Sequence, residues 1–283
     1  MQCWLIVSYS SQNKKEADMS KSRSNMAGKN FIVTGAEGFL GNSVVTSLET
    51  LGATVFQIDL ATFEKESKKE ENFYTCDISD EEQISKTFTK IKKNAKTIHG
   101  LVNLAAINPT LNSLGNKTKL SDFDFDEHMK SIRLSYKGTM NLVAAAESLL
   151  VEYSSIVLVG SDLSLISPDQ RIYCNCDGIV LEHEKKCTLK PPSYSFEKFG
   201  MIGLTKYLCT YFGSSKVRVN CVCPGPVDAE FPIDFRNRLL QRTPMGRLAT
   251  KEDLNASIEF LLSDMSRFIT GISLPIDGGR SAW

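Results

Sequence analysis

The sequence predicts an α/β fold: a doubly wound parallel sheet of about seven strands with helices on both faces. Three observations carry that expectation. Short apolar runs recur along the 283-residue chain, and within them apolar and polar residues do not alternate, as in strands buried on both faces. Longer stretches with apolar residues at helical spacing separate those runs. A glycine-rich turn joins the first run to the first such stretch.

The elements follow in order. KNFIVTG reads as a strand and residues 40–51 as a helix. Ala53, Val55, Phe56 and Ile58 form a second strand that ends at Asp59. Residues 80–96 read as a charged amphipathic helix with Ile84, Phe88 and Ile91 on one face. LVNLAAI (101–107) is a further buried strand, 126–151 a long helix, and SSIVLVGS the next strand. Residues 195–213 read as a helix, VRVNCVCPG as a strand, EDLNASIEFLLSD as a helix and ISLPIDGG as the last strand.

Two segments fall outside this rhythm. Residues 1–27 open on CWLIVSY, too short and too poor in preceding basic residues for a signal peptide, and continue as a polar leader. They are expected to form a disordered extension, with Met19 and Met26 as alternative starts, and 28–283 to form one domain. Residues 166–193 are polar and too long for an ordinary connection, so they read as an inserted substrate loop.

Composition excludes several classes. The chain has 33 acidic and 33 basic residues, which disfavours a nucleic-acid or anionic-membrane partner. No apolar stretch approaches the roughly 20 residues of a membrane span. The eight cysteines suit a reducing, cytoplasmic setting. Cys221 and Cys223 read as core thiols on one strand. Cys174, Cys176, Cys187 and His183 are residue types that bind zinc, but their spacing is not a common zinc pattern, and no metal is expected.

The turn TGAEGFLG places Gly35, Gly38 and Gly41 between a strand and a helix start. Such a turn aims backbone N–H groups and the positive end of the helix dipole at an anion. Gly35 permits the tight turn, Gly38 lets a pyrophosphate touch backbone, and Gly41 lets the helix pack close to the sheet, the pattern of a Rossmann-type dinucleotide site. Asp59, about 20 residues further on, stands where a carboxylate accepts from the adenosine ribose hydroxyls. Asp59 and Glu37 would repel a 2′-phosphate, so NAD is expected rather than NADP. Asp59 also reads as a strand-end cap.

YSFEK places Tyr194 and Lys198 on one helical face. A nearby ammonium favours tyrosinate and lowers a phenol's pKa, so the pair can exchange a proton with an alcohol or carbonyl.

With these motifs the chain resembles the short-chain dehydrogenase/reductase family over about residues 28–281. TGAEGFLG, with Gly35, Glu37, Gly38, Phe39, Leu40 and Gly41, matches the family's cofactor turn. CDI, with Asp77 and Ile78, resembles its adenine-contacting segment, and NLAA, with Asn103, Ala105 and Ala106, its Asn-Asn-Ala-Gly strand end. RVNCVCPGPV, with Pro224, Gly225 and Val227, matches the nicotinamide-contacting segment, and FLLSDMSRFITGISLPIDGG the C-terminal helix and strand. The resemblance implies Tyr194 as general acid/base, Lys198 as the residue that lowers its pKa and holds the nicotinamide ribose, and Ser161 as the hydrogen-bond partner of the substrate oxygen. It also implies a homodimer or homotetramer built on the helices near 126–151 and 195–213, whose apolar residues Leu142, Val143, Leu149, Leu150, Met201, Ile202, Leu204 and Leu208 occupy more than one face.

Three features depart from the family pattern. The glycine spacing is the one more usual in the extended branch that acts on nucleotide sugars. Aligning YKGTM puts Ser135 where the catalytic set has an asparagine, which predicts a weakened proton relay. The stretch from Ser161 to Tyr194 is lengthened by the insertion, and in SLISPDQRIY and PPSYSFEK it resembles a subgroup of bacterial surface-polysaccharide and flagellin-sugar biosynthesis. Arg171, His183, Lys185, Lys186 and Lys190 in that insertion could pair with a phosphate, carboxylate or sugar nucleotide, or face solvent; Arg171 is the favoured substrate contact. The leading expectation is an NAD-dependent alcohol/ketone oxidoreductase acting on a sugar or nucleotide sugar. The alternatives are an acyl-carrier thioester reductase and a scaffold that has lost turnover.

Overall fold

The structure is a computed structural model and describes residues 26–60, 72–107, 117–173 and 188–283. Its strands are β1 (Asn30–Thr34), β2 (Thr54–Asp59), β3 (Phe73–Thr75), β4 (Ile98–Asn103), β5 (Leu150–Val159), β6 (Arg218–Pro224) and β7 (Ser273–Ile276). All pair in parallel, in the order β3-β2-β1-β4-β5-β6-β7. The helices are α1 (Gly41–Thr50), α2 (Glu81–Asn94), α3 (Phe125–Arg133), α4 (Thr139–Ala146), α5 (Pro192–Tyr211), α6 (Ile233–Leu240) and α7 (Lys251–Leu262). The doubly wound parallel sheet expected from the sequence is therefore present. Among the described residues no helix is long and apolar enough to cross a membrane.

Side-chain alternation feeds two cores. Phe31 and Val33 of β1, with Val102, Val157 and Val222 of the next strands, meet Val44, Val45 and Leu48 of α1 and Ile258 and Leu261 of α7. Ile32, Leu101, Ile156 and Leu158 face the other way, onto Ile84, Phe88 and Ile91 of α2, Leu142 and Val143 of α4, and Leu208 of α5. A strand covered on both faces has no polar face to show, so its sequence does not alternate.

The sequence misplaced some boundaries. The short strand β3 has no period to read and was not enumerated. The helix expected over 126–151 is α3 and α4 joined by a π-helical turn, Leu134–Gly138, and β5 already begins at Leu150. Met26 is fully buried against the α1–α7 core, whereas it was expected in the extension; residues 1–25 lie outside the described residues. Leu142, Val143, Leu149, Met201 and Leu208, whose spread over more than one face reads more often as core than as interface, are core residues. The outer faces of α3, the π turn and α5 instead expose Phe125, Met129, Tyr136, Phe199, Tyr207 and Tyr211.

The strand order reverses at the boundary of β1 with β4, and ligands bind at such switch points, beyond the carboxyl ends of the strands. Buried Asn103 ties that boundary together. Its Oδ1 accepts from Thr34 Oγ1 at 2.6 Å and from the Ala105 N–H at 3.3 Å, and its Nδ2 donates to Thr139 Oγ1 at 2.8 Å. Thr139 Oγ1 in turn donates to the Ser135 carbonyl at 2.5 Å, a group inside the π turn. Replacing Asn103 with Leu leaves these buried partners unsatisfied at about 1–3 kcal/mol each, less relaxation. We expect Asn103→Leu to lower unfolding free energy by about 3 kcal/mol, measured by urea titration.

Candidate active site

The carboxyl ends of the strands deliver the site. Gly35 leaves β1 with φ +65, and a Cβ there would lie 2.8 Å from the Leu104 carbonyl carbon. A Cβ on Gly41 would lie 1.9 Å from the Gly35 oxygen, so the turn closes only around glycine. No side chain caps the start of α1, in contrast to α2, where Asp80 accepts from the Glu82 and Gln83 N–H groups. Asp59, at the end of β2, accepts from the Glu37 N–H at 2.8 Å. The Asp59 carboxylate at the end of β2 is thus held beside the turn. Gly38 and Phe39 are exposed at the tip, with Lys251 Nζ 3.9 Å from the centre of the Phe39 ring, and Leu40 packs inward.

The remaining cofactor candidates fall into two groups. Asp77 accepts from the Ser79 N–H at 2.8 Å in the loop after β3, and the Ile78 carbonyl accepts from Asn141 Nδ2 at 3.1 Å. Ala106 is exposed at the switch point beside half-buried Ala105. Past buried Pro224 at the end of β6, the Gly225 N–H donates to the Ile276 carbonyl at 3.0 Å, and Val227 bridges Ala249. Both ends of the Asn103 amide are engaged inside the protein, so its side chain positions the switch point. The cradle without side chains, the uncapped helix start and the Asp59 carboxylate beside it fit a dinucleotide.

Ser161 follows β5, and Tyr194 and Lys198 share one face of α5. The Ser161 hydroxyl donates to Asp162 Oδ1 at 2.7 Å, and Asp162 Oδ2 lies 2.8 Å from Arg280 Nε in a buried ion pair. Burial pushes the Asp162 carboxyl up, against the pull of Arg280 and of Ser161. Lys198 Nζ lies 5.7 Å from the Tyr194 ring centre and donates to the Val159 carbonyl at 3.3 Å. Burial pushes Lys198 down, opposed by the Glu197 carboxylate.

The phenol reverses one expectation. Burial of the Tyr194 hydroxyl pushes its pKa up to about 12, with its side-chain contact to Ser161 working the other way and Asp162 and Glu197 adding to the rise. Lys198 was expected to lower this value, and burial works the other way. Tyr194 therefore holds its proton at neutral pH.

Ser135 sits in the π turn, and its hydroxyl donates to Glu197 Oε2 at 2.8 Å; Ser131 Oγ donates to Glu197 Oε1. Glu197 is buried, so a carboxylate clasped by two serines occupies the helix boundary where the sequence predicted only a missing asparagine. Arg171, which the sequence favours as a substrate contact, lies exposed beside Asp169. It forks onto Asp169 at 2.7 and 2.9 Å, and Asp169 also accepts from Arg242 Nε at 2.5 Å. Together the two guanidinium groups hold the Asp169 carboxyl well below the usual carboxylate range. The described insertion cation that reaches Tyr194 is Lys190, its Nζ 3.9 Å from the ring centre. Cys174, Cys176, His183, Lys185, Lys186 and Cys187 lie outside the described residues, among which no group of His, Cys, Asp and Glu could hold a metal. The sequence reading missed Asp162, Glu197 and Arg280; the first two adjoin Ser161 and Lys198, but nothing in the chain links position 162 to position 280.

Burial and the like charge of Lys198 push Lys190 down to about 8. Its unfolded value is higher, so below pH 8 the folded state carries the full penalty, relieved as pH rises toward the unfolded pKa. We expect Lys190→Met to raise unfolding free energy at pH 7 by up to roughly 3 kcal/mol, and the gain to shrink toward pH 10, by urea titration at both values.

Known proteins bear on this arrangement. A family model described as enoyl-(acyl carrier protein) reductase matches residues 35–180 and 180–281. The 3-oxoacyl-[acyl-carrier-protein] reductase FabG of Thermotoga maritima is 28% identical over 269 residues, covering 90% of this chain and 98% of that protein. A short chain dehydrogenase from Leptospira borgpetersenii, solved with bound NAD+, superposes with a TM-score of 0.77 at 25% identity, covering 99% of each chain. Thermoplasma acidophilum aldohexose dehydrogenase superposes at 0.73 with 21% identity, covering 93% of this chain and 97% of that one, a likeness of fold alone.

Proposed function

The chain belongs to the short-chain dehydrogenase/reductase family of oxidoreductases, and from that premise we propose that it interconverts an alcohol and a ketone or aldehyde on a polar, sugar-like small molecule with NAD. The observation that carries the reading is the meeting of Ser161, Tyr194 and Lys198 past the carboxyl end of β5, in a sheet whose β1 ends in a glycine cradle. In the reduction direction Tyr194, a neutral phenol, donates its proton to the developing alkoxide. Ser161 turns its hydroxyl from Asp162 to the substrate oxygen and stabilises the charge that grows there. Lys198, anchored by the Val159 carbonyl, would hold the nicotinamide ribose and would supply positive charge when the phenol gives up its proton. NAD supplies the hydride chemistry. In the oxidation direction the same groups run in reverse, and the phenolate accepts the alcohol proton.

The turn residues Gly35, Glu37, Gly38, Phe39, Leu40 and Gly41 would hold the pyrophosphate end, with Asp59 on the adenosine ribose. Asp77, Ile78, Ala105 and Ala106 would flank the adenine side, and Pro224, Gly225 and Val227 the nicotinamide. Ser135, through Glu197, positions the helix that carries Lys198. The exposed aromatic residues of α3 and α5 support a homodimer or homotetramer, and the free thiols of Cys76, Cys209, Cys221 and Cys223 support a cytoplasmic setting.

A second reading, reduction of a carrier-bound 3-oxoacyl thioester, is favoured by the Thermotoga maritima relative. Asp59 and Glu37 weigh against an NADPH-dependent form of it. Calorimetric titration tests the choice. We expect NADH to bind at least tenfold more tightly than NADPH; the opposite preference would move the carrier reading ahead. Turnover tests the acid/base role: Tyr194→Phe should lower kcat by about 100-fold or more while changing the NADH Kd less than threefold. Unchanged turnover would remove Tyr194 from the mechanism.

A further inference from the structure

Lys190 is a buried cation that the acid/base mechanism does not use. The segment that carries it is pinned from three sides. The Thr188 N–H donates to the Tyr173 carbonyl at 3.4 Å, the Leu189 N–H to the Lys117 carbonyl at 2.9 Å, and the Lys190 N–H to Gln170 Oε1 at 2.9 Å. Pro191 follows in an extended conformation and Pro192 opens α5, so the backbone that aims the side chain is stiff. Only 9% of Lys190 is exposed, and its ammonium lies over the face of the Tyr194 ring.

A buried ammonium calls for a counterion. Among the described residues no carboxylate lies within ion-pair distance of Lys190. The two acids that bear on it electrostatically are already engaged: Asp162 by Arg280, Ser161 and the Leu163 N–H, and Glu197 by Ser131 and Ser135. The ring face satisfies one direction of the ammonium as a cation–π contact and leaves its remaining N–H groups for a ligand. A substrate oxygen that reaches Tyr194 and Ser161 brings its neighbouring carbons alongside that ammonium.

We propose that Lys190 is the receptor for an anionic group, a carboxylate or a phosphate, carried by the substrate on a carbon close to the reacting one. This rests on the alcohol/ketone reading above and narrows its substrate class to small hydroxy or keto acids and phosphorylated polyols. It disfavours carrier-bound thioesters, in which the groups flanking the reacting carbon are uncharged, and neutral aldoses. The insertion thus contributes a fixed charge at the acid/base, while Arg171, which the sequence favoured for this task, is engaged by Asp169.

Two matched pairs of probes test it on the full chain with NADH: acetoacetate against its methyl ester, and dihydroxyacetone phosphate against dihydroxyacetone. Binding is read by calorimetry and turnover by NADH absorbance. One charged probe is expected to bind at least tenfold more tightly than its neutral counterpart. Lys190→Met should reduce that ratio at least tenfold, and Lys190→Arg should keep most of it. The arm that responds identifies carboxylate or phosphate. Equal binding of charged and neutral probes in both arms overturns the proposal, as does a preference that survives in Lys190→Met. A loss of turnover equal for charged and neutral probes, with a displaced pH–rate inflection, also overturns it and assigns Lys190 to Tyr194 alone. Tyr194→Phe keeps this outcome separate from the underlying reading. Unchanged NADH oxidation in that variant sinks the acid/base assignment, while the binding ratio in wild type and Lys190→Met still decides Lys190.

Discussion

The side-chain amide of Asn103 is the interaction on which the centre of the molecule depends. It bonds to β1 through Thr34, to its own strand end through Ala105, and to the helical run beneath the sheet through Thr139. The register places Thr34, Asn103, Leu158 and Cys221 in one row across four strands. Fixing the middle of that row fixes where each strand ends, and the strand ends carry Gly35, Ala105, Ser161 and Gly225. Through Thr139 the same bonds reach the Ser135 carbonyl and the π turn. A π turn leaves backbone groups out of the regular ladder and lends itself to functional sites.

The site balances opposed charges in a confined volume. Asp162 and Glu197 flank Tyr194 with negative charge, and Lys198, Lys190 and Arg280 supply positive charge. At an effective dielectric of about 20, unit charges 4 Å apart interact by about 4 kcal/mol. At Tyr194 desolvation is the largest effect, and the charges of Asp162 and Glu197 act in the same direction. That is why the phenol is held neutral although two lysines lie near its ring. Each acid is held in place, Asp162 by its ion pair with Arg280 and the Ser161 hydroxyl, Glu197 by two serines, so the acids serve as fixed parts of the scaffold.

Ser135 reaches across to Glu197, which lies next to Lys198 on α5. The contact joins the π turn to the catalytic helix by a route that the motif YSFEK does not announce, because a glutamate within a helix ordinarily reads as a solvated face.

The sequence alone determined the sheet, its strand-to-helix alternation, the glycine cradle and the placement of Tyr194 with Lys198, because each rests on spacing along a continuous stretch of chain. Period, turn chemistry and helical pitch are local properties, and local order carries them. Tertiary structure decided which side chains are spent. Arg171 is consumed by Asp169, two residues away, while Lys190 is carried beneath the surface to the ring of Tyr194. Asn103 became an internal tie, and Leu142 and Met201 became core. Asp162 and Arg280, separated by most of the C-terminal half of the chain, meet only because β5 and β7 both end at the same edge of the sheet. Charge pairing, burial and the pKa values that follow from them depend on distance in space, and the order of residues along a chain does not contain that distance.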